Sequence, residues 1–133
     1  MNNFHQYMEE LALEIGGQFQ EYDEHKSVII VPVSENRFQT VVGVMQLDER
    51  YQKEIIRFSS KVCPYQMGMD LKDLLKENGN LFHAKFSIIN EFLKVEACFH
   101  FGNISRDEIK GLILEVATVA DNWEYKITGL DVQ

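Results

Sequence analysis

The segment from Ser105 to about Tyr125 constrains the fold most, because its hydrophobic pattern is that of a long amphipathic helix. Ser105, followed three residues later by Glu108, is typical of a capping box at a helix start. The apolar residues recur at spacings of three and four, and they are Ile109, Leu112, Ile113, Val116, Ala117, Ala120 and Trp123. The polar residues Lys110, Glu115, Thr118, Asp121 and Asn122 fall on the opposite side. Burying one Leu or Ile contributes roughly 1.5–3 kcal/mol, so the helix must lie on an apolar surface.

The preceding chain supplies strands for that surface. Helical periodicity also predicts helices near residues 4–15 and 70–78, the first ended by Gly16-Gly17. Strands are predicted at residues 28–33, 38–47, 54–60, 82–89 and 92–101, and residues 19–22 form a short extended piece before a polar turn. The order is helix, three strands, helix, two strands, helix. Because the strand-to-strand links are short, we expect an α+β fold with an antiparallel five-stranded sheet and helices mainly on one face.

Length and charge limit the function. The chain of 133 residues fits one domain, spanning residues 1–133. Acidic residues outnumber basic ones, 21 against 13, which gives a net charge of -8. A negative field repels phosphate backbones, so we expect no nucleic-acid partner.

Several features predict a cytoplasmic protein. The two cysteines, Cys63 and Cys98, form no paired motif; one disulfide is arithmetically allowed, but two lone thiols suit a reducing compartment at least as well. The first residues show no positive region followed by an apolar run, so we expect no signal peptide. No apolar stretch approaches the roughly 20 residues that span a bilayer, so we expect no membrane partner.

No residue pattern predicts catalysis. The four histidines lack the spacing of metal ligands, and the neighbouring acidic pairs suit turns and helix termini. We therefore expect no catalytic residue, no metal site and no cofactor. The alternative is a small ligand-binding or metal-binding domain, or an enzyme, that uses the hairpin face near His83, Cys98 and His100.

The strands at residues 28–33 and 38–47 are apolar in both phases, although a strand with one wet face should alternate. Their second phase is assigned to four residues, Val28, Ile30, Val42 and Val44. Pro32 falls in register with Val28 and Ile30 and suits an exposed or edge position, which favours this choice. A protein partner or a second copy of the chain would cover these side chains, and we expect a homodimer. Central strands with ordinary β-branched preference explain the same pattern, and the residues leave both interpretations open.

Three stretches carry a resemblance to known proteins. One runs from Leu74-Leu75-Lys76-Glu77-Asn78 to Phe86-Ser87-Ile88 and Leu93-Lys94-Val95-Glu96, and another is the ending Ala117…Ala120-Asp121-Asn122-Trp123-Glu124. With the order of elements, they resemble the type III secretion chaperone-like fold. The stretch Ile56-Arg57-Phe58-Ser59-Ser60-Lys61-Val62-Cys63-Pro64 is more similar to the related YbjN-like bacterial proteins.

The resemblance implies a small non-enzymatic protein-binding domain, chaperone-like, adaptor-like or regulatory, that is often a homodimer. It implies no catalytic residue. Tyr65-Gln66-Met67-Gly68-Met69 stands where secretion chaperones have a proline-containing stretch that often contributes to dimer contacts. We therefore expect the YbjN-like side of the resemblance, and the sequence leaves the mode of dimerisation open.

Overall fold

Six strands form one antiparallel sheet in the computed structural model, which describes residues 3–128. The elements are α1 (Asn3–Ile15), β1 (Gln18–Asp23), β2 (Lys26–Ser34), β3 (Arg37–Asp48), β4 (Lys53–Pro64), α2 (Leu71–Asn78), β5 (Lys85–Ile89), β6 (Phe92–His100), a 3-10 turn (Phe101–Asn103) and α3 (Arg106–Thr128). The strands lie in the order β1-β2-β3-β4-β6-β5, and every neighbouring pair is antiparallel.

The α+β class is confirmed, but the predicted five-stranded sheet is wrong. The order is helix, four strands, helix, two strands, helix. The additional strand is β1, which pairs with β2 from Gln18–Ile30 to Asp23–Lys26. Only Phe19 of β1 is half-buried, and its other residues are exposed. A polar edge strand lacks the hydrophobic alternation from which strands are predicted, so its partner β2 decides its conformation.

The core lies between one face of the sheet and the two long helices. All the apolar residues predicted for the inner side of α3 are buried, except that Trp123 is half-buried and packs its ring edge-on to Phe86, with 5.2 Å between centroids. The predicted capping box is present: Glu108 N donates to Ser105 Oγ (3.1 Å), and Ser105 N donates to Glu108 Oε1 (3.0 Å). Helix α1 adds the buried side chains Phe4, Met8 and Leu11.

Glycines let α1 end close to the sheet. Gly16 has a φ of +83°, the left-handed conformation that favours glycine after a helix. Gly17 follows with its Cα against the carbonyl oxygen of Ile30, where a Cβ would clash with backbone. The chain therefore turns directly from α1 into β1, and this places α1 over β1 and β2.

The pairing of β2 with β3 determines which of their apolar residues face the helices and which face the opposite side of the sheet. Ile29, Val31, Val41 and Met45 are buried beneath the helices. The alternate residues point to the opposite side of the sheet, which we call the open face. Near the end of β2, the pairing with β3 shifts between Pro32 and Ser34, as expected next to a proline, which cannot donate to the ladder.

Candidate functional site

The four residues predicted to bind a partner lie together on the open face. Val28 and Val42 are directly opposite each other in the β2–β3 ladder, and Ile30 and Val44 are the next residues on the same side. Each is half-buried, whereas the residues between them in sequence are fully buried against the helices. We call Val28, Ile30, Val42 and Val44 the open-face patch.

Two residues that the sequence did not assign to the patch extend it toward the β2–β3 turn. Pro32 pairs with Phe38 at the end of the ladder, in phase with Ile30 and Val42. The Phe38 side chain is 49% exposed. The sequence could have assigned Phe38 to the patch, because residues an even number of positions from Val42 and Val44 in the same strand point to the same face.

The open face becomes charged on β4 and β6. Glu96 is buried, and Arg57 Nη1 donates to its Oε1 at 2.5 Å. Burial raises the pKa of Glu96, but the neighbouring Ser87 hydroxyl, the hydrogen bond from Arg57 and the charges of Arg57 and Lys85 outweigh burial and hold the pKa below its usual value. The open-face patch is therefore bordered by the ion pair of Arg57 and Glu96.

We expect Glu96→Gln to reduce the dependence of stability on acid pH. Because the pKa of Glu96 is lower in the folded state, its contribution is fully present above the unfolded pKa of about 4.3 and is lost as pH falls through the folded pKa. Urea unfolding at a series of pH values measures the effect. In the exposed β2–β3 turn, Glu35→Gln is the matched control and should follow the wild type. Equal profiles for Glu96→Gln and wild type would contradict the lowered pKa.

The residues of the alternative site lie on different sides of the fold. Cys98 and His100 share the open face of β6 with Lys94 and Glu96. His83 precedes β5, where its backbone N–H donates to Glu115 Oε1 of α3 at 3.2 Å. Within residues 3–128, no group of three or more His, Cys, Asp or Glu side chains is arranged to hold a metal ion.

Both cysteines are free thiols. Cys63 pairs with Leu93 in the β4–β6 ladder, whereas Cys98 pairs with Arg57 farther along it. Cys63 is buried, and burial together with the Glu124 carboxylate raises the pKa of its thiol. The register therefore separates the two sulfur atoms, and the disulfide that the cysteine count allowed is not formed.

A polar cleft opens between β3 and β4, where the two strands separate. Their ladder runs from Asp48–Lys53 to Val42–Ser59, after which β3 stays paired with β2 and β4 with β6. The cleft has a volume of about 360 Å³ and is lined by Gln39, Thr40, Val42, Ser59, Lys61, Lys94 and Glu124. Val42, Ser59 and Lys94 belong to the open face, so the cleft opens beside the open-face patch.

Side-chain hydrogen bonds hold the floor of this β3–β4 cleft. Gln39 Nε2 donates to Ser60 Oγ (3.0 Å) and to the Lys61 carbonyl oxygen (2.9 Å), and Ser60 Oγ donates to the Thr40 carbonyl oxygen (2.6 Å). A carbonyl oxygen can only accept, which fixes the orientation of the Gln39 amide. Gln39 is only 5% exposed, and its Oε1 is buried with no hydrogen-bond partner within residues 3–128. A buried acceptor without a partner costs about 1–3 kcal/mol.

An apolar groove lies beside the edge strand β5. It has a volume of about 200 Å³ and is lined by Leu71, Leu74, Leu75, Asn78, Phe86, Ser87, Ile88 and Leu93. The apolar residues of α2 that follow the helical period are Leu71, Leu74 and Leu75. Only Leu74 is buried, and Leu75 is 70% exposed. The Asn78 amide pairs with β5, because its Oδ1 accepts from Phe86 N at 2.6 Å. Helix α2 is therefore tied to β5 by a side chain and leaves part of its apolar side in solvent.

Two polar residues of α3 that the sequence placed on the wet side instead hold the fold together. Asp121 is buried, and its Oδ2 accepts from Arg37 Nε (3.1 Å) and Nη2 (2.7 Å). Glu115 accepts from the backbone N–H groups of residues 82–84, which connect α2 to β5. Their partners lie 31 to 84 residues away in sequence, so helical periodicity carries no signal for them.

Within residues 3–128, no helix has the length and apolar character needed to cross a membrane. No protein-family model matches the chain, and no curated protein matches it either.

Proposed function

We propose that this protein is a non-enzymatic protein-binding domain that forms a homodimer through the open-face patch. The observation that carries the proposal is the position of Val28, Ile30, Val42 and Val44 together on the sheet face opposite the helices. Apolar surface left in water forgoes about 25 cal/mol for each Å² that a partner would cover. The resemblance to YbjN-like and secretion chaperone-like proteins supports the same function.

A second copy is the partner that fits the patch most directly. The patch lies on regularly paired antiparallel strands and is bordered by Arg57 and its buried partner Glu96. One surface that contacts itself across a twofold axis is the commonest way for a soluble chain to cover an apolar face. The groove beside β5 is a separate exposed apolar surface, and it supports binding of another polypeptide in the same cytoplasmic setting. The two free thiols fit that setting.

Replacing Ile30 and Val44 with Lys tests the homodimer. Both side chains are half-buried on the open face, so the charged variants can keep their ammonium groups in water while the core stays intact. We expect wild-type protein to sediment as a dimer and Ile30→Lys/Val44→Lys to sediment as a folded monomer. Analytical ultracentrifugation over a range of concentrations, with circular dichroism for folding, measures both properties.

A matched control adds the same two charges to the helical side. Leu13→Lys/Thr118→Lys changes two exposed helix positions and should remain a dimer. A wild type that stays monomeric at high concentration would refute the homodimer. Unfolding of Ile30→Lys/Val44→Lys would show that these side chains belong to the core.

The alternative remains a small ligand-binding or metal-binding domain, or an enzyme, at the hairpin face near His83, Cys98 and His100. Capture of one specific polypeptide by the tagged wild type, lost in a variant of either apolar surface, would support protein binding. Turnover abolished by a single His or Cys substitution would support the enzyme.

A further inference from the structure

We propose that the basic half of the open face binds an acidic polypeptide segment. The residues concerned are Arg57, Lys61, Lys85 and Lys94, which we call the basic surface. They lie on β4, β5 and β6, whereas the open-face patch lies on β2 and β3, so the two surfaces share no residue. The inference rests on the proposed protein-binding function, for which it names the class of partner, and it does not depend on the homodimer.

Strand pairing brings the lysines of the basic surface together. Residues that are directly opposite each other in a ladder point to the same face of the sheet. Lys61 is opposite Lys94 in the β4–β6 ladder, and Lys85 is opposite Glu96, the open-face position of β6 next to Lys94. Because adjacent strands are about 4.8 Å apart, the three lysines are neighbours on three consecutive strands. Lys61 and Lys85 are exposed, and Lys94 is half-buried.

The basic surface keeps a positive charge in a chain whose net charge is -8. Its acidic neighbour Glu96 is buried and is shared by two cations, because Arg57 Nη1 donates to its Oε1 and Lys85 lies opposite it. Lys61 and Lys94 face each other, and like charges in that arrangement destabilise a sheet. Within the described part of the chain, neither of these two lysines forms a salt bridge. Carboxylates from a partner would supply the missing negative charge.

A polypeptide fits the basic surface better than a nucleic acid does. Single-stranded nucleic acids stack their bases on aromatic rings. The ring next to these lysines is that of Phe92, and the Lys61 ammonium already lies over it, 4.3 Å from its centroid. The negative net charge of the chain also repels a phosphate backbone, charged at every nucleotide, more than it repels a few carboxylates. Beside the lysines, Ile89 is opposite Phe92, and both are half-buried on the open face, where they can contact an apolar side chain of the same segment.

Two-dimensional NMR of labelled wild-type protein tests the surface, because the backbone amides of Lys85 and Lys94 report on it directly. The probe is a short acidic peptide composed of Glu, Leu and Ser, and its control is the same peptide with Gln in place of Glu. We expect the acidic peptide to shift these resonances in a saturable titration and the Gln peptide to bind about tenfold more weakly or not at all. Raising the salt concentration from about 0.1 M to about 1 M should also weaken the binding, because salt screens exposed charges.

Variants assign the binding to the lysines. Lys85→Met/Lys94→Met should weaken binding of the acidic peptide about tenfold or more, because it removes two charges and keeps the apolar stems. Lys72→Met/Lys76→Met is the matched control, since it removes the same charge from two exposed positions of α2, and it should bind as the wild type does. Circular dichroism checks the fold of each variant. If Lys85→Met/Lys94→Met does not fold, the comparison of the Glu and Gln peptides on the wild type still decides the question.

Other occupants of the basic surface give different results in the same experiments. A single-stranded oligonucleotide, or phosphatidylcholine vesicles containing phosphatidylserine, would overturn the proposal by binding more tightly than the acidic peptide. So would the absence of a saturable shift, equal binding of the Gln peptide, or unchanged binding by Lys85→Met/Lys94→Met. If that variant alone lost the dimer, a second copy would be the occupant and the proposal would be wrong. A wild type that sediments as a monomer and binds the acidic peptide would refute the homodimer but support the basic surface.

Discussion

Replacing Arg37 with Met is expected to destabilise the protein by about 3–5 kcal/mol, because it leaves the buried carboxylate of Asp121 without its cation. The pair joins the first residue of β3 to the last turns of α3, 84 positions later in the sequence. A carboxylate with 2% exposure cannot recover the hydration that it lost on folding. Equilibrium unfolding in urea measures the difference in free energy.

A double variant separates the unpaired charge from the loss of the pair itself. Arg37→Met/Asp121→Leu removes both charges, and we expect it to be more stable than Arg37→Met alone. Arg106→Met is the matched control, because Arg106 forms exposed ion pairs with Glu10 and Glu14 on the helical side. It should cause a much smaller loss. Equal losses for Arg37→Met and Arg106→Met would contradict a buried ion pair.

Adding a side chain at Gly43 is expected to destabilise the core. Gly43 is paired regularly with Ser27 and Phe58, so it is not a bulge; it is there because α1 and β4 pack closely on it. A Cβ would lie 2.9 Å from Met8 Cε and 2.9 Å from Phe58 Cε1, and both side chains are fully buried. We expect Gly43→Ala to lose about 1–3 kcal/mol and Gly43→Val to lose more, as measured by urea unfolding.

Another glycine, Gly111, provides a control for which we expect the opposite change in stability. Gly111 lies on the exposed side of α3, and a Cβ there meets no atom of the described residues within 4 Å. Gly111→Ala should therefore stabilise the protein by up to about 1 kcal/mol through helix propensity. Shortening Met8 to Ala in the Gly43→Ala background should recover part of the loss. A Gly43→Ala variant as stable as the wild type would show that the helix can move away from the sheet.

Much of the fold could be predicted from the sequence, because the signals involved are local. The inner side of α3 and its capping box follow from spacings of three and four residues. The tight turn at Asn90-Glu91, where both residues have positive φ, follows from two short strands and a polar pair between them. Val28, Ile30, Val42 and Val44 could be assigned to one face because alternation along a strand is fixed by its geometry.

Other features were decided only by the tertiary structure, because their partners are distant in sequence. Strand β1 is polar, and it is a strand because the edge of β2 offers unpaired backbone groups. Asp121 and Glu96 have the sequence context of surface residues, yet Arg37 and Arg57 allow them to be buried. The β3–β4 cleft exists because a twisted ladder ends at Val42–Ser59 while both strands continue with other partners. Periodicity thus determines which side of an element is apolar, whereas long-range pairing determines which polar residues are buried and where the sheet opens.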